Sequence, residues 1–266
     1  DTIIGGSDSA TTDNDVIFGN AGNDQIQGGF GNDIVYGGQD NDIVFGGLGD
    51  DSLWGDRGSD TLIGDDGNDL IYGGSDANQS PTLGDAIYGG NGDDTLFSNQ
   101  GNDSISGGDG KDLLHGGTDN DLVHGDAGND ILYGDKGNDS LCAGDGDDTL
   151  YGGTGGNINI GLNEEEDLLH GGAGNDALFG SEGDDTLLGD SGNDILYGGK
   201  DNDIILGGDG SDILSGDKGN DTLTGGGGSD TFRFLSGTGT DVIVDFTDGV
   251  DKIGLAGGLK FSSLSI

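Results

Sequence analysis

Large apolar residues recur along this chain at intervals of nine, separated by stretches rich in glycine and aspartate. One copy reads Gly28, Gly29, Phe30, Gly31, Asn32, Asp33, Ile34, Val35, Tyr36, with the invariant apolar residue, Val35, at position eight. Position eight runs from Ile17 and Ile26 through Leu53, Leu96, Leu141 and Leu196 to Phe232, and no copy is polar. Positions one to six are turn chemistry, where glycine supplies positive φ and Asn or Asp tolerates it. Positions seven to nine are strand chemistry, β-branched or aromatic. Side chains alternate along a strand, so position eight points inward and positions seven and nine point outward. A three-residue strand survives only if paired with copies above and below. Turn, strand, turn and strand then close one coil in 18 residues, and a short fixed period of this kind is the mark of a solenoid. The expected fold is all-β, a parallel β-roll whose two sheets face each other across a thin aliphatic core. Twelve such coils, spaced like strands, make a rod about 55 Å long.

The same frame fixes an aspartate at position six. The series runs Asp15, Asp24, Asp33, Asp42, Asp51, Asp60 and Asp69, resumes at Asp85, Asp94, Asp103, Asp112, Asp121, Asp130, Asp139 and Asp148, and resumes again at Asp167, Asp176, Asp185, Asp194, Asp203, Asp212, Asp221 and Asp230. Asp1 to Gly6 reads as the tail of one earlier copy, which makes 24. A chain opening in mid-repeat is expected to be an excerpt of a larger protein. Coiling puts alternate turns on one edge about 4.8 Å apart, so carboxylates and backbone carbonyls from two turns converge between coils. A flexible all-oxygen cage with more than one carboxylate suits Ca2+, whereas Mg2+ demands a stricter octahedron and zinc wants His or Cys. A metal-free ladder would stack like charges one strand spacing apart. The position-six aspartates are therefore the expected metal ligands.

Composition sharpens the same point. The 266 residues include 63 glycines and one proline, and glycine does not fall every third residue, which excludes collagen. A net charge of −44 with 30% apolar residues would ordinarily leave a chain disordered, yet disorder has no use for strictly placed apolar residues. A core this thin does not offset the ordering entropy of so much glycine. The reading that fits both facts is a chain unfolded until cations neutralise it. Nucleic acid and anionic membranes are poor partners for such charge. Cys142 stands alone, so no disulfide framework exists, and no apolar run approaches the length of a membrane helix.

The frame, as in Gly46, Gly47, Leu48, Gly49, Asp50, Asp51, Ser52, Leu53, Trp54 and again in Gly171 to Phe179, resembles the RTX (repeats-in-toxin, hemolysin-type calcium-binding) repeat over residues 1–232. That resemblance implies a parallel β-roll with calcium between adjacent turns. It further implies export through type I secretion machinery, with a chain unfolded inside the cell and folded by calcium outside it. The expected location is secreted, extracellular or cell-surface. The tail, Thr231 to Phe234, Asp241 to Phe246 and Asp251 to Ile253, looks like the segment that caps such rolls. The expected organisation is a roll over 1–230, interrupted at 75–84 and 154–166, and a cap over 231–266.

Phase yields finer expectations. Both insertions precede even-numbered repeats, so both loops should leave from one edge. Pairs of uninterrupted turns give ten gaps on one edge and six on the other, a floor of 16 calcium sites. Turns lacking the first glycine, at Ser98 and Ala143, should be weaker, and Asp40, Asp119 and Asp201 at position four milder defects. The run Glu164 to Glu166 reads as solvated. Position nine on odd repeats is a row of rings: Phe18, Tyr36, Trp54, Tyr72, Phe97, His115, Tyr133, Tyr151, Phe179 and Tyr197, followed by Ser215 and Arg233. Such a row stabilises a sheet, or serves as a platform for a polysaccharide or another domain of the parent protein. The alternative function is accordingly a glycan- or surface-binding module of an adhesin, surface layer or polysaccharide-active enzyme. The three histidines are also at position nine, with His115 and His124 on opposite sheets, so no catalytic or zinc role is expected of them. No H-E-x-x-H or G-x-S-x-G motif occurs and no nucleophile or acid–base pair is expected in a cleft, so the segment is not expected to be an enzyme.

Overall fold

The computed structural model describes residues 1–5, 13–75, 84–153, 166–235 and 239–260. Within them every strand pairs in parallel, and successive strands alternate between two sheets of 13 strands each. No helix occurs among the described residues. One coil is therefore two strands, and Val35 of the strand Ile34–Gln39 sits beside Leu53 of the strand Ser52–Arg57. The parallel β-roll read from the sequence is the fold.

The strands are longer than sequence chemistry predicts. Ile34–Gln39 spans six residues, carrying the ladder through the first three positions of the turn half. Only two or three residues per repeat, such as 31–33, remain as turn. Position two bends without leaving the ladder. Gly29 pairs with Gly47 although both have positive φ, and where glycine is replaced, Asn20, Asp56, Asp65 and Asp190 take φ between 69° and 77°. Asn and Asp are the non-glycine residues that tolerate this region.

The interior is a single file of side chains per sheet. Position-eight residues from Ile26 to Phe232 are almost wholly buried, and the position-one glycines and position-six aspartates also face inward. Both interruptions lie between a strand of the second sheet and one of the first, Leu70–Ser75 to Ala86–Asn91 and Thr149–Gly153 to Leu168–Ala173. They therefore leave the roll on the same edge, as their phase requires. Register survives both, with Leu62 beside Ile87 and Leu141 beside Leu169. Pro81, Glu164 and Glu165 lie outside the described residues.

On the outer face of the second sheet the ten rings from Phe18 to Tyr197 form one unbroken stack, with centroids 4.4–5.7 Å apart and planes within 17° of parallel. At its end Arg233 reaches past Ser215, places its guanidinium 5.6 Å from the Tyr197 ring centroid and donates to the Tyr197 hydroxyl. Stacked this way, the rings spend their faces on one another and turn edges to solvent. The tail continues the roll: Val242–Ile243 joins the first sheet and Lys252–Leu255 the second. Phe246 lies 6.2 Å from Phe232, and Asp245 accepts from the Gly225 and Gly226 amides.

This layering predicts a sharp contrast between neighbours in sequence. Leu114→Ala, at an inward position, should cost about 2–5 kcal/mol in urea unfolding of the folded protein. Leu122→Ala, at an outward position 41% exposed, should stay within about 0.5 kcal/mol. Equal costs at the two positions would contradict the assigned core.

Candidate metal centre

Each position-six aspartate is carried inward at the end of a two- or three-residue turn, and from Asp24 to Asp230 the series is buried. One carboxylate oxygen ties coils together. Asp51 Oδ1 accepts the Asp33 amide at 2.7 Å, Asp69 Oδ1 accepts that of Asp51 at 2.7 Å, and the series runs to Asp230, which accepts from Asp212 at 3.0 Å. The other edge repeats the pattern from Asp24 and Asp42 onward. Neither interruption breaks it, since Asp60 donates to Asp85 at 2.7 Å and Asp139 to Asp167 at 2.8 Å.

The second oxygen has a different environment. A Cβ placed on Gly116 would lie 2.6 Å from Asp121 Oδ2 and 2.8 Å from the carbonyl oxygen of Gly134, one coil on. The same convergence recurs at Gly125, with Asp130 Oδ2 and Ala143 O both at 2.6 Å, and at Gly171, with Asp176 Oδ2 at 2.6 Å and Gly189 O at 2.9 Å. Glycine at position one thus leaves a space lined by a carboxylate oxygen and a carbonyl oxygen from two coils. Position four adds further carbonyls, because a Cβ on Gly49 would run into Gly31 O and one on Gly67 into Gly49 O. The Oδ2 atoms of Asp33, Asp51, Asp94, Asp121, Asp130 and Asp203 are buried without a hydrogen-bond donor. A buried acceptor facing other acceptors costs several kcal/mol if neutral and more if charged.

Burial is the main reason these carboxyls are pushed up in pKa, with neighbouring aspartates adding to it and the amide bond opposing it. Asp51, Asp94, Asp130, Asp176 and Asp185 rise to about 7, and Asp121 and Asp203 to about 9. A cation would relieve the same repulsion without a proton. The donor set is hard oxygen from side chain and backbone, and no group of three His, Cys, Asp or Glu side chains gathers round one point among the described residues. Backbone carbonyls must therefore complete any cage, which fits calcium.

The exceptions behave in physically legible ways. Asp40, Asp119 and Asp201 take the left-handed φ that position four requires, at 74°, 81° and 72°. Ser98 is buried at position one and its hydroxyl donates to Gly116 O, using the carbonyl that elsewhere faces the carboxylate. Ala143 buries a methyl in the corresponding place. Two ligand-like residues fell outside the nine-residue count. Asp241 Oδ1 accepts the Asp221 amide at 3.3 Å and Asp251 Oδ1 that of Asp230 at 3.1 Å. The signal was present in Asp241-Val242-Ile243 and Asp251-Lys252-Ile253, each an aspartate followed by an outward and an inward residue.

The family model for the RTX calcium-binding nonapeptide repeat matches residues 9–44, 45–79, 88–123, 106–141, 124–158, 163–196, 170–205, 197–232 and 206–243. Among solved structures, the chain is similar to the X-ray crystal structure of a hyperactive, Ca2+-dependent, β-helical antifreeze protein from an Antarctic bacterium. The two are 21% identical over 95% of this chain and 82% of that one, with a TM-score of 0.46. No curated protein matches the sequence.

The raised carboxyls set a pH dependence. Their folded pKa values exceed the ordinary 3.8, so the stability they lend the metal-free roll is full below that value. It is lost as pH rises through about 6 to 9. Metal-free protein should gain β signal in circular dichroism on acidification from about pH 8 to about pH 4. With calcium present, the midpoint concentration should rise as pH falls, because proton and cation compete. A metal-free spectrum unchanged across that range would contradict the assigned carboxylate environment.

Proposed function

The chain belongs to the RTX calcium-binding nonapeptide repeat family, and from that premise we propose a calcium-switched structural module of a secreted protein, held unfolded before export through type I secretion machinery and folded by calcium outside the cell. Calcium binding comes with the family. The observation that carries the rest is the buried Oδ2 of Asp33, Asp51, Asp94, Asp121 and Asp130, each facing a carbonyl from the adjacent coil and without a donor.

The ligands would be Asp15 to Asp230 at position six, with backbone carbonyls of the glycine-rich turns. Calcium supplies positive charge between coils. At the floor of 16 sites it brings thirty-two positive charges against a net charge of −44. Everything else is done by the chain itself: position-eight side chains exclude water, the Oδ1–amide bonds set coil spacing, and glycine keeps the gap open. Each site draws on two coils, so folding propagates along the rod from neighbour to neighbour. Residues 1–230 form the roll and 231–266 cap it, with Phe246, Asp245, Asp241 and Asp251 closing the last coils. Extracellular modules bind calcium with Kd of about 10⁻⁴ to 10⁻³ M, while cytosolic sensors bind far more tightly. A switch of this kind therefore stays open inside a cell and closes outside it by mass action. We read the segment as non-catalytic. No helix long and apolar enough to cross a membrane occurs among the described residues.

The aromatic row does not favour the glycan-platform alternative. A sugar needs an exposed ring face, and the faces from Phe18 to Tyr197 are stacked against each other.

Far-ultraviolet circular dichroism with calcium titrated into metal-free chain tests the proposal at neutral pH. The expected result is an unordered spectrum in chelator, a cooperative gain of β signal in the sub-millimolar to millimolar range, and no comparable gain with magnesium. Asp121→Asn should raise the midpoint and lower the calcium stoichiometry. A β-rich spectrum in chelator at neutral pH would sink it.

A further inference from the structure

His124, Cys142 and His170 occupy position nine on three successive strands of the first sheet, Leu122–Gly128, Ser140–Asp145 and Leu168–Ala173. Their register is direct, with His124 beside Cys142 and Cys142 beside His170. All three are half-buried on the outer face, and Cys142 is a free thiol. Adjacent strands lie about 4.8 Å apart, so one thiol stands between two imidazoles, each a single strand away. The sequence expectation that the histidines form no site rests on His115. That residue does lie on the other sheet, stacked between Phe97 and Tyr133. The remaining two share a sheet and flank the one cysteine.

Their surroundings differ in a useful way. His170 Nδ1 lies 3.1 Å from Asp190 Oδ2, which orients the ring and leaves Nε2 as the nitrogen available to a ligand. A carboxylate holding the far nitrogen of an imidazole is the usual outer partner of a metal-bound histidine. The same step, from position nine to position two of the next coil, pairs His115 with Asp135 and Ser106 with Asp126. Above His124 and Cys142 that residue is Gly144 and Gly172, so no carboxylate claims either side chain there.

We propose that His124, Cys142 and His170 form a second kind of metal site, for a borderline divalent cation with tetrahedral nitrogen and sulfur preference, Zn2+ being the fitting case. Two imidazoles and a thiolate supply three ligands, water the fourth, and Asp190 acts as a positioning residue on His170. Nitrogen and sulfur donors exclude calcium from this row, as the all-oxygen turns exclude zinc from theirs. In the structure as it stands no three such side chains gather round one point among the described residues. Binding therefore requires His124 and Cys142 to turn toward the His170 ring that Asp190 holds, and the half-buried outer face leaves room for that rotation. The thiol gives its proton to solvent as the sulfur–metal bond forms. Burial, and then Asp190, push that thiol up, so it is neutral until the cation arrives. The strands carrying Cys142 and His170 lie before and after the second interruption, and the ion would clip them together across the longest break in the repeat. Metal clips that close long loops have the most to contribute.

Co2+ titrated into calcium-saturated full chain tests the site, with absorption read for the sulfur-to-cobalt charge-transfer band. One equivalent should bind, show that band and be displaced by Zn2+. Cys142→Ser should lose the band, and Asp190→Asn should weaken binding about tenfold to a hundredfold. His124→Ala and His170→Ala should weaken it further, and His115→Ala should leave it unchanged. Circular dichroism of each calcium-loaded variant separates loss of the site from loss of the roll. Absence of the band in folded wild type overturns the proposal. So does a band that survives removal of both His124 and His170, which would reduce Cys142 to an isolated thiol.

Discussion

The structure depends on a carboxylate buried between coils. Along most of the roll a position-six aspartate, such as Asp51, accepts the amide of the preceding coil with one oxygen and turns the other toward a carbonyl of the next. The first contact makes the rod repeat at a fixed spacing. The second makes it costly, because acceptor faces acceptor in a place water does not reach. A proton or a cation resolves that conflict, and in the proposed switch calcium is that cation.

Around this constraint the rest is economical. The core is one residue deep on each sheet, too thin to hold so much glycine by burial alone. Glycine is nevertheless the usual residue at positions one and four, since a Cβ there would occupy the space between coils or strike a carbonyl. The ring stack on the second sheet adds lateral cohesion along ten coils, and Arg233 closes its end by lying over Tyr197. The first sheet carries no such stack. It is the sheet on which His124, Cys142 and His170 align, so the two outer faces of one roll have acquired different chemistry from the same repeat position.

Much of this was legible in order of residues because the period is short and strict. A fixed interval of nine, read with strand alternation, is enough to place Leu114 inside and Leu122 outside, to stack Phe18 through Tyr197, and to put both interruptions on one edge. Three features resisted. The strands run six residues because positions one to three keep pairing despite positive φ at position two, which propensity assigns to turns. Asp241 and Asp251 escaped the count because the tail keeps the aspartate-to-strand geometry while abandoning the spacing of nine. Arg233 reads as an outward polar residue until Ser215, beneath it, leaves room for the guanidinium to reach back to Tyr197.

Taken alone, the sequence determined the solenoid, which positions face inward and outward, its phase and the row of position-six aspartates between coils, because each follows from local periodicity. Tertiary structure decided what lies across a gap. It set which carboxylate oxygen is satisfied and which is not, how the ring faces are spent, and that a cysteine and two histidines up to 46 residues apart in sequence stand on neighbouring strands. Those are contacts between coils, and the two interruptions shift every one that spans them. A count along the chain gives the rhythm of the roll, and stacking alone brings residues from different beats together.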